Sequence, residues 1–285
     1  MYAITGASGQ LGRLVLDQLL KRVPASQIIA LARKPESLAA YAAQGVQVRA
    51  ADYDRPETLP AALAGARRVL LISANEIGRR VPQHQAVISA AKVQGVELLA
   101  YTSLLHADRS PLPLAAEHLA TEALLREYAL PAVVLRNGWY TENYLASVPV
   151  ALQHGVMLGS AGAGRIASAA RADYAEAAAE VLTHADQAGR IYELAGDAAY
   201  TLGEFAAEIA RLSGKAVNYQ DLSPEDYHGA LLAAGLPDAI ARLLAESDAG
   251  AARGGLFDDS HQLSLLIGRS TTAWQAQLQV ALRQA

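Results

Sequence analysis

The first twelve residues, MYAITGASGQLG, constrain this chain more than any other stretch. Tyr2-Ala3-Ile4-Thr5 is a short apolar run with a β-branched bias, the pattern of a buried strand. It stops at Gly6. Gly9 and Gly12 follow at equal spacing, and Leu11, Leu14, Val15 and Leu19 then recur with helical periodicity. A strand, a glycine turn and a helix, in that order, form the context of a dinucleotide fingerprint. Gly6 frees the chain to turn sharply off the strand. Gly9 places no side chain between its backbone and a pyrophosphate, and Gly12 lets the helix pack close to the sheet. The first N–H groups of the helix and the positive end of its dipole then face the anion. Glycines at this spacing also serve an ordinary β–α turn. The strand–helix alternation downstream favours the dinucleotide.

That alternation is regular. Gln27–Ala32 (QIIALA) reads as a second strand and Pro35–Gln44 as a helix closed by Gly45. Val46–Ala50 is a third strand and Pro56–Leu63 a helix. Arg68–Ile72 is continuously apolar, as a parallel strand buried on both faces requires. Val81–Gln94 is a helix, Glu97–Thr102 a strand, Pro111–Tyr128 a helix and Pro131–Leu135 a strand. The series predicts an α/β fold, a Rossmann-like doubly wound parallel sheet. The alternation then weakens. Asn143–His154 reads as a helix, and Gly155–Arg165 as a glycine-rich loop or short strands. An alanine-rich helix runs to Ala185, and Gly189–Leu194 is a last strand. Helices follow at Leu202–Ser213, Pro224–Ala234, Pro237–Glu246, Ser260–Ile267 and Thr272–Ala281, with a strand at Val217–Gln220. The expected division is an NAD(P)-binding domain over 1–140, to which the chain returns at about 172–195. A smaller, mostly helical C-terminal lobe, 141–171 and 196–285, is expected to roof the strand ends.

Ligands of open parallel sheets bind along the carboxyl ends of the strands. Three successive strands are expected to end in small polar residues, at Asp52, Ser73 and Ser103. The second strand ends differently, in Arg33-Lys34-Pro35. An acidic residue there would suit the ribose hydroxyls of NAD, whereas a basic one suits the 2′-phosphate of NADP. Arg33 can fork onto that phosphate with two parallel bonds, so the expected cofactor is NADPH. Asp52 either contacts the adenine or caps the D-x-P-E turn that follows it.

Composition narrows the alternatives. A chain of 285 residues with 52% hydrophobic and 18% charged residues can bury a large core. Its net charge of −4, without runs of one sign, argues against a nucleic-acid partner. Cysteine is absent, which excludes disulfides, thiolate metal sites and a Cys nucleophile. No His, Asp and Glu cluster has metal-ligand spacing. There is no run of about 18 apolar residues and no signal-peptide pattern, so the chain is expected in the cytoplasm.

The stretches TGASGQLG, ALARKPESL, DYDRPETL, LLISANE, AYTSLLHAD, LRNGWYTENYL and LFDDSHQLSLLIG together resemble the NmrA-like branch of the atypical short-chain dehydrogenases, over essentially the whole chain. The resemblance implies a two-domain protein that binds NADPH and passes hydride to a quinone. It assigns Gly6, Ala7, Ser8, Gly9, Gln10 and Leu11 to the pyrophosphate and Arg33 to the 2′-phosphate. It assigns Ser73, Ala74 and Asn75 to the nicotinamide side, and Asn137, Gly138, Trp139, Tyr140, Thr141, Glu142 and Arg171 to the rest of the cleft. Other members of this branch sense the dinucleotide or reduce dyes, and both readings stay open.

The catalytic residues are less legible. Ordinary short-chain dehydrogenases use a Tyr-x-x-x-Lys pair with a Ser, the Tyr donating a proton. Ser103 follows the fifth strand, but the pair's positions hold Leu114 and His118, and no Tyr-x-x-x-Lys occurs in the chain. This departure suits a quinone, which accepts hydride readily and can take its proton from water. The protein then mainly positions the reactants. His118 either donates a proton or orients the quinone oxygen, or else packs on a helix face, as His84 and His106 are expected to do. Trp139 and Tyr140 either stack on a flat substrate or pack. Asn143 either bonds the substrate or is a turn residue.

Overall fold

The computed structural model describes residues 1–283. Its chain divides into two compact units. The first contains residues 1–107, 116–137 and 171–192. The second contains 108–115, 138–170 and 193–285. The short segment 108–115, which the sequence reading leaves in the first domain, thus groups with the second unit.

The first unit is built on strands β1 (Tyr2–Ile4), β2 (Ile28–Ala32), β3 (Gln47–Ala50), β4 (Arg68–Leu71), β5 (Leu98–Leu104) and β6 (Ala132–Asn137). With β8 (Ile191–Leu194) they form a seven-stranded sheet in the order β3-β2-β1-β4-β5-β6-β8. The pairs from β3 through β6 are parallel. Strands β2 and β5 are buried along their whole length, which explains their unbroken apolar runs. The order reverses beside β1. Ile4 is in register with Ala30 on one side and Leu70 on the other. A sheet of this kind opens its ligand crevice at that reversal, beyond the strand ends.

Helices α1 (Gln10–Leu20), α4 (Arg80–Val93), α5 (Ala115–Glu127) and α8 (Arg171–Thr183) complete the frame. Between β2 and β4, the two expected helices are each a 3-10 turn running into a short helix. These are Pro35–Leu38 into α2 (Ala39–Ala42) and Pro56–Thr58 into α3 (Leu59–Ala62). Helix α5 starts at Ala115 and not at Pro111, because Pro111 and Pro113 hold the preceding residues away from helical geometry. Strand β5 runs two residues past its expected end, so Ser103 lies inside it, in register with Arg136.

In the second unit, α6 (Thr141–Leu145) and α7 (Val148–His154) replace one expected helix. Pro149 sits in the first turn of α7, where a missing N–H costs nothing, so the break falls just before it. Strand β7 (Val156–Gly159) pairs in parallel with β9 (Asn218–Asp221). Then α9 (Leu202–Ser213), α10 (Pro224–Ala233), α11 (Asp238–Ala252), α12 (Gln262–Ile267) and α13 (Trp274–Leu282) account for the helical pattern. A capping box at Thr201 and Glu204 starts α9. Helix α11 passes its expected end at Glu246 through Ser247, Asp248 and Gly250. All three are buried, so packing overrides their weak helix propensity.

Asp248 carries a consequence for stability. Its carboxylate accepts hydrogen bonds from the Tyr144 hydroxyl at 3.1 Å and from Ser160 N at 3.1 Å. Burial pushes its pKa up to about 6, against the lowering effect of those bonds and with help from the charge of Asp221. The folded state therefore holds this proton more tightly than the unfolded chain does. The cost to stability therefore accrues as pH rises from the ordinary Asp value of 3.8 to about 6 and is constant above that. At about 1.4 kcal/mol per pKa unit, the cost by pH 7.5 is of order 2–3 kcal/mol. Urea denaturation from pH 4 to 7 is expected to show Asp248→Asn gaining stability relative to the native chain up to about pH 6 and holding a constant advantage above it. A constant difference across that range would refute the assignment.

Candidate cofactor site and active site

The loop after β1 is fixed by its own backbone. Gly6 takes φ +59°, a left-handed conformation that disfavours a side chain. Thr5 N donates to Leu70 O and Ala7 N to Leu31 O, both at 3.0 Å, so the loop bridges both neighbours of β1. Ala7 and Leu11 are buried, while Gly6, Ser8, Gly9 and Gln10 face solvent. Gly9 is the N-cap of α1. No side chain caps this helix and no acid lies in its first turn. Its leading N–H groups and dipole are therefore available to an anion. A Cβ on Gly9 would sit 3.2 Å from Gly6 O. A Cβ on Gly12 would lie 2.4 Å from Gly6 O and 2.7 Å from Ala7 Cα. The third glycine thus lets the helix press against the loop's own backbone, a closer partner than the sheet that the motif predicts.

Arg33 stands at the end of β2 with 71% of its side chain exposed, its Nη1 3.9 Å from Glu76 Oε1. Glu76 also pairs with Arg79, which pairs with Asp54. Arg13, not singled out by the sequence, joins the two loops. Its Nε donates to Ser8 O at 3.1 Å and its Nη2 to Ser37 O at 2.7 Å. Asp52 acts locally, since its Oδ1 accepts from Asp54 N at 3.1 Å and its own N donates to Thr58 Oγ1.

A buried polar cluster joins β5, β6 and α5. Ser103 Oγ donates to Glu122 Oε1 at 2.7 Å. Arg136 forks onto the same carboxylate, Nε to Oε1 at 3.0 Å and Nη2 to Oε2 at 2.9 Å. All three residues are buried. Ser103 is therefore engaged with an ion pair. His118 is also buried, its Nδ1 2.8 Å from Tyr101 Oη. Burial, with the nearby charge of Arg80, lowers its pKa to about 3. It is a neutral imidazole at pH 7, suited to orienting an oxygen and carrying no imidazolium proton. His84 is fully buried and its pKa is lowered to about 3 for the same reasons.

Asn137 ends β6. Its backbone O accepts from Leu105 N at 3.0 Å, while its buried side-chain Oδ1 has no hydrogen-bond partner. Arg171 begins α8. Gly138 to Glu142 belong to the second unit. There Gly138 N donates to Leu194 O at 2.7 Å, Tyr140 bridges to Ala169, and Thr141 Oγ1 meets Ser168 Oγ at 2.8 Å. The Trp139 and Tyr144 rings are 6.4 Å apart. Asn143 N donates to Tyr140 O in the turn that opens α6. Among the described residues no group of three or more His, Asp and Glu could hold a metal ion.

A family model described as NAD(P)H-binding matches residues 6–185, a span that starts at the first fingerprint glycine and takes in α8. The chain belongs to the NmrA-like NAD(P)H-binding family. It is 58% identical over 272 residues to quinone oxidoreductase 2 of Escherichia coli strain K12, covering 95% of each chain. It matches the crystal structure of an NADPH-dependent quinone oxidoreductase from Escherichia coli, complexed with NADPH, with a TM-score of 0.97 at 56% identity. That match covers 99% of this chain and 100% of the other. The Citrobacter sp. triphenylmethane reductase complexed with NADP(H) matches with a TM-score of 0.95 at 38% identity, over 99% of this chain and 100% of that one. The residues present fit such a family's cofactor on physical grounds. The uncapped N-terminus of α1 suits a pyrophosphate, the bare Gly9 leaves it room, and Asn137 offers an unused buried acceptor.

Proposed function

We propose that this chain is an NADPH-dependent oxidoreductase that reduces quinones by two electrons. The observation that carries the reading is the likeness to quinone oxidoreductase 2, which extends through both units of the chain. NADPH, when bound, supplies a hydride from its nicotinamide ring, and the quinone that accepts it takes up one proton to become a hydroquinone. In this reading the Gly6 to Leu11 loop and the N-terminus of α1 hold the pyrophosphate. Arg33 reads the 2′-phosphate, and Ser73 to Asn75 line the nicotinamide. His118, neutral and bonded to Tyr101, orients an oxygen, and the proton comes from water. The protein's share of the catalysis is orientation.

The test is NADPH oxidation by the purified chain with and without a small benzoquinone, repeated with NADH. Quinone-dependent turnover that prefers NADPH supports the proposal. Tight NADPH binding without turnover would replace it with a dinucleotide sensor, and decolourisation of triphenylmethane dyes without quinone turnover would make it a dye reductase. Arg33→Ala is expected to weaken NADPH more than NADH by about 1.5–3 kcal/mol, the strength of charge-assisted bonds to one phosphate. Fluorescence titration with both cofactors measures this. Equal losses would mean that Arg33 does not read the phosphate.

A further inference from the structure

One residue just beyond β4, Ala74, is gripped through the peptide groups on both of its sides by buried side chains. Ala74 N donates to His84 Nε2 at 2.9 Å, and Ala74 O accepts from Arg80 Nε at 2.6 Å. His84 is fully buried and Arg80 nearly so. The grip extends along the loop, for Ser73 N donates to Thr102 Oγ1 at 2.9 Å and Gly78 N to Glu117 Oε1 at 2.8 Å. Loops at strand ends usually lack such support and move.

The direction of these bonds is determined. His84 Nε2 accepts an amide N–H, so the ring proton is on Nδ1, which faces Thr121 Oγ1 at 2.8 Å. Thr121 Oγ1 in turn donates to Glu117 O at 3.0 Å. The chain of donors therefore runs one way, from the Ala74 amide through the imidazole to α5. An apolar residue at position 84 would fill the space without the desolvation cost of a buried imidazole. The cost is offset only by what the two ring nitrogens hold in place. The low pKa of His84 keeps the ring neutral, so that Nε2 stays an acceptor across the physiological range.

We infer that His84 is a positioning residue for hydride transfer, holding the 73–74 peptide while Arg80 holds the 74–75 peptide, and hence fixing the Ser73 to Asn75 segment against which the nicotinamide lies. This role rests on the oxidoreductase reading above. Displacing a reacting group by about 1 Å can cost about a hundredfold in rate, and that segment is where such a displacement would arise.

The test compares His84→Leu with His84→Gln, whose Oε1 can take the place of Nε2. His84→Leu is expected to lower kcat of NADPH–quinone turnover tenfold or more while the NADPH Kd changes less than threefold. His84→Gln is expected to recover most of kcat. Amide hydrogen exchange in the Ser73 to Asn75 segment should speed up in His84→Leu and return in His84→Gln. Should His84→Leu fail to fold, Thr121→Val keeps the imidazole, removes the acceptor behind its Nδ1 together with the bond to Glu117 O, and is expected to lower kcat in the same direction. A folded His84→Leu chain with native kcat, or a kcat that His84→Gln fails to recover, would overturn the role. An inactive native chain would instead sink the oxidoreductase reading, and this role with it.

Discussion

Glu122→Gln is expected to destabilise the chain by about 3–5 kcal/mol, the cost of breaking a buried ion pair by removing one partner. Glu122 and Arg136 have side chains 1% and 8% exposed and meet at 2.9 Å. The amide keeps the shape of the carboxylate but withdraws the negative charge onto which Arg136 forks in a low-dielectric site. The expected observation is a lower urea midpoint with an unchanged slope. The paired replacement Glu122→Met with Arg136→Met should recover much of the loss, because two apolar side chains of similar volume leave no buried charge. Stability unchanged in Glu122→Gln would mean that Arg136 is neutralised by another group. Ser103 bears on the chemistry here. Its hydroxyl proton is committed to Glu122, so its contribution belongs first to this network.

The sequence shows neither partner of that pair. Glu122 and Arg136 lie on a helix and the next strand, and no local pattern joins them. They meet because β5 and β6 are neighbours in a parallel sheet with α5 beside them. The same physics explains the misplaced end of β5. The apolar run stops at Thr102, but the strand continues because Thr102 and Ser103 find partners in Ser73 and Glu122. A hydropathy pattern cannot register a polar residue whose bonds are made by distant elements. The bonds that His84 makes to Ala74 and Thr121 are hidden in the same way. By contrast, the glycine loop and the strand–helix order were fully legible, because their causes lie within a few residues: a positive φ at Gly6, a helix start at Gly9, and strands buried on both faces. Where packing overrode propensity, as in the last turns of α11, the local signal pointed the wrong way. Ser247, Asp248 and Gly250 read as a helix end and are instead buried within the helix.

Gly9→Val should weaken NADPH binding by roughly a hundredfold or more while leaving the fold intact, and the contrast with Gly12 makes the test specific. Gly9 has φ −73°, which any residue adopts, and it faces solvent. A Cβ there would meet Gly6 O at 3.2 Å, tight but relieved by a small shift. The valine methyls would then cover the N–H groups that open α1. The stability cost is that of a poor N-cap, about 1 kcal/mol. The binding cost is the loss of the pyrophosphate seat, a fall in NADPH affinity of roughly a hundredfold or more, about 2.7 kcal/mol. Gly12→Val should behave in the opposite sense. Its Cβ would fall 2.4 Å from Gly6 O and 2.7 Å from Ala7 Cα, both backbone atoms in a loop pinned to β2 and β4. Nothing there can yield, so this variant loses the fold along with binding. Thermal unfolding and NADPH titration on the two variants separate the cases. A Gly9→Val chain that keeps its affinity would place the dinucleotide away from this loop. A Gly12→Val chain of native stability would mean that α1 can slide on β1, and the spacing of the third glycine would need another cause.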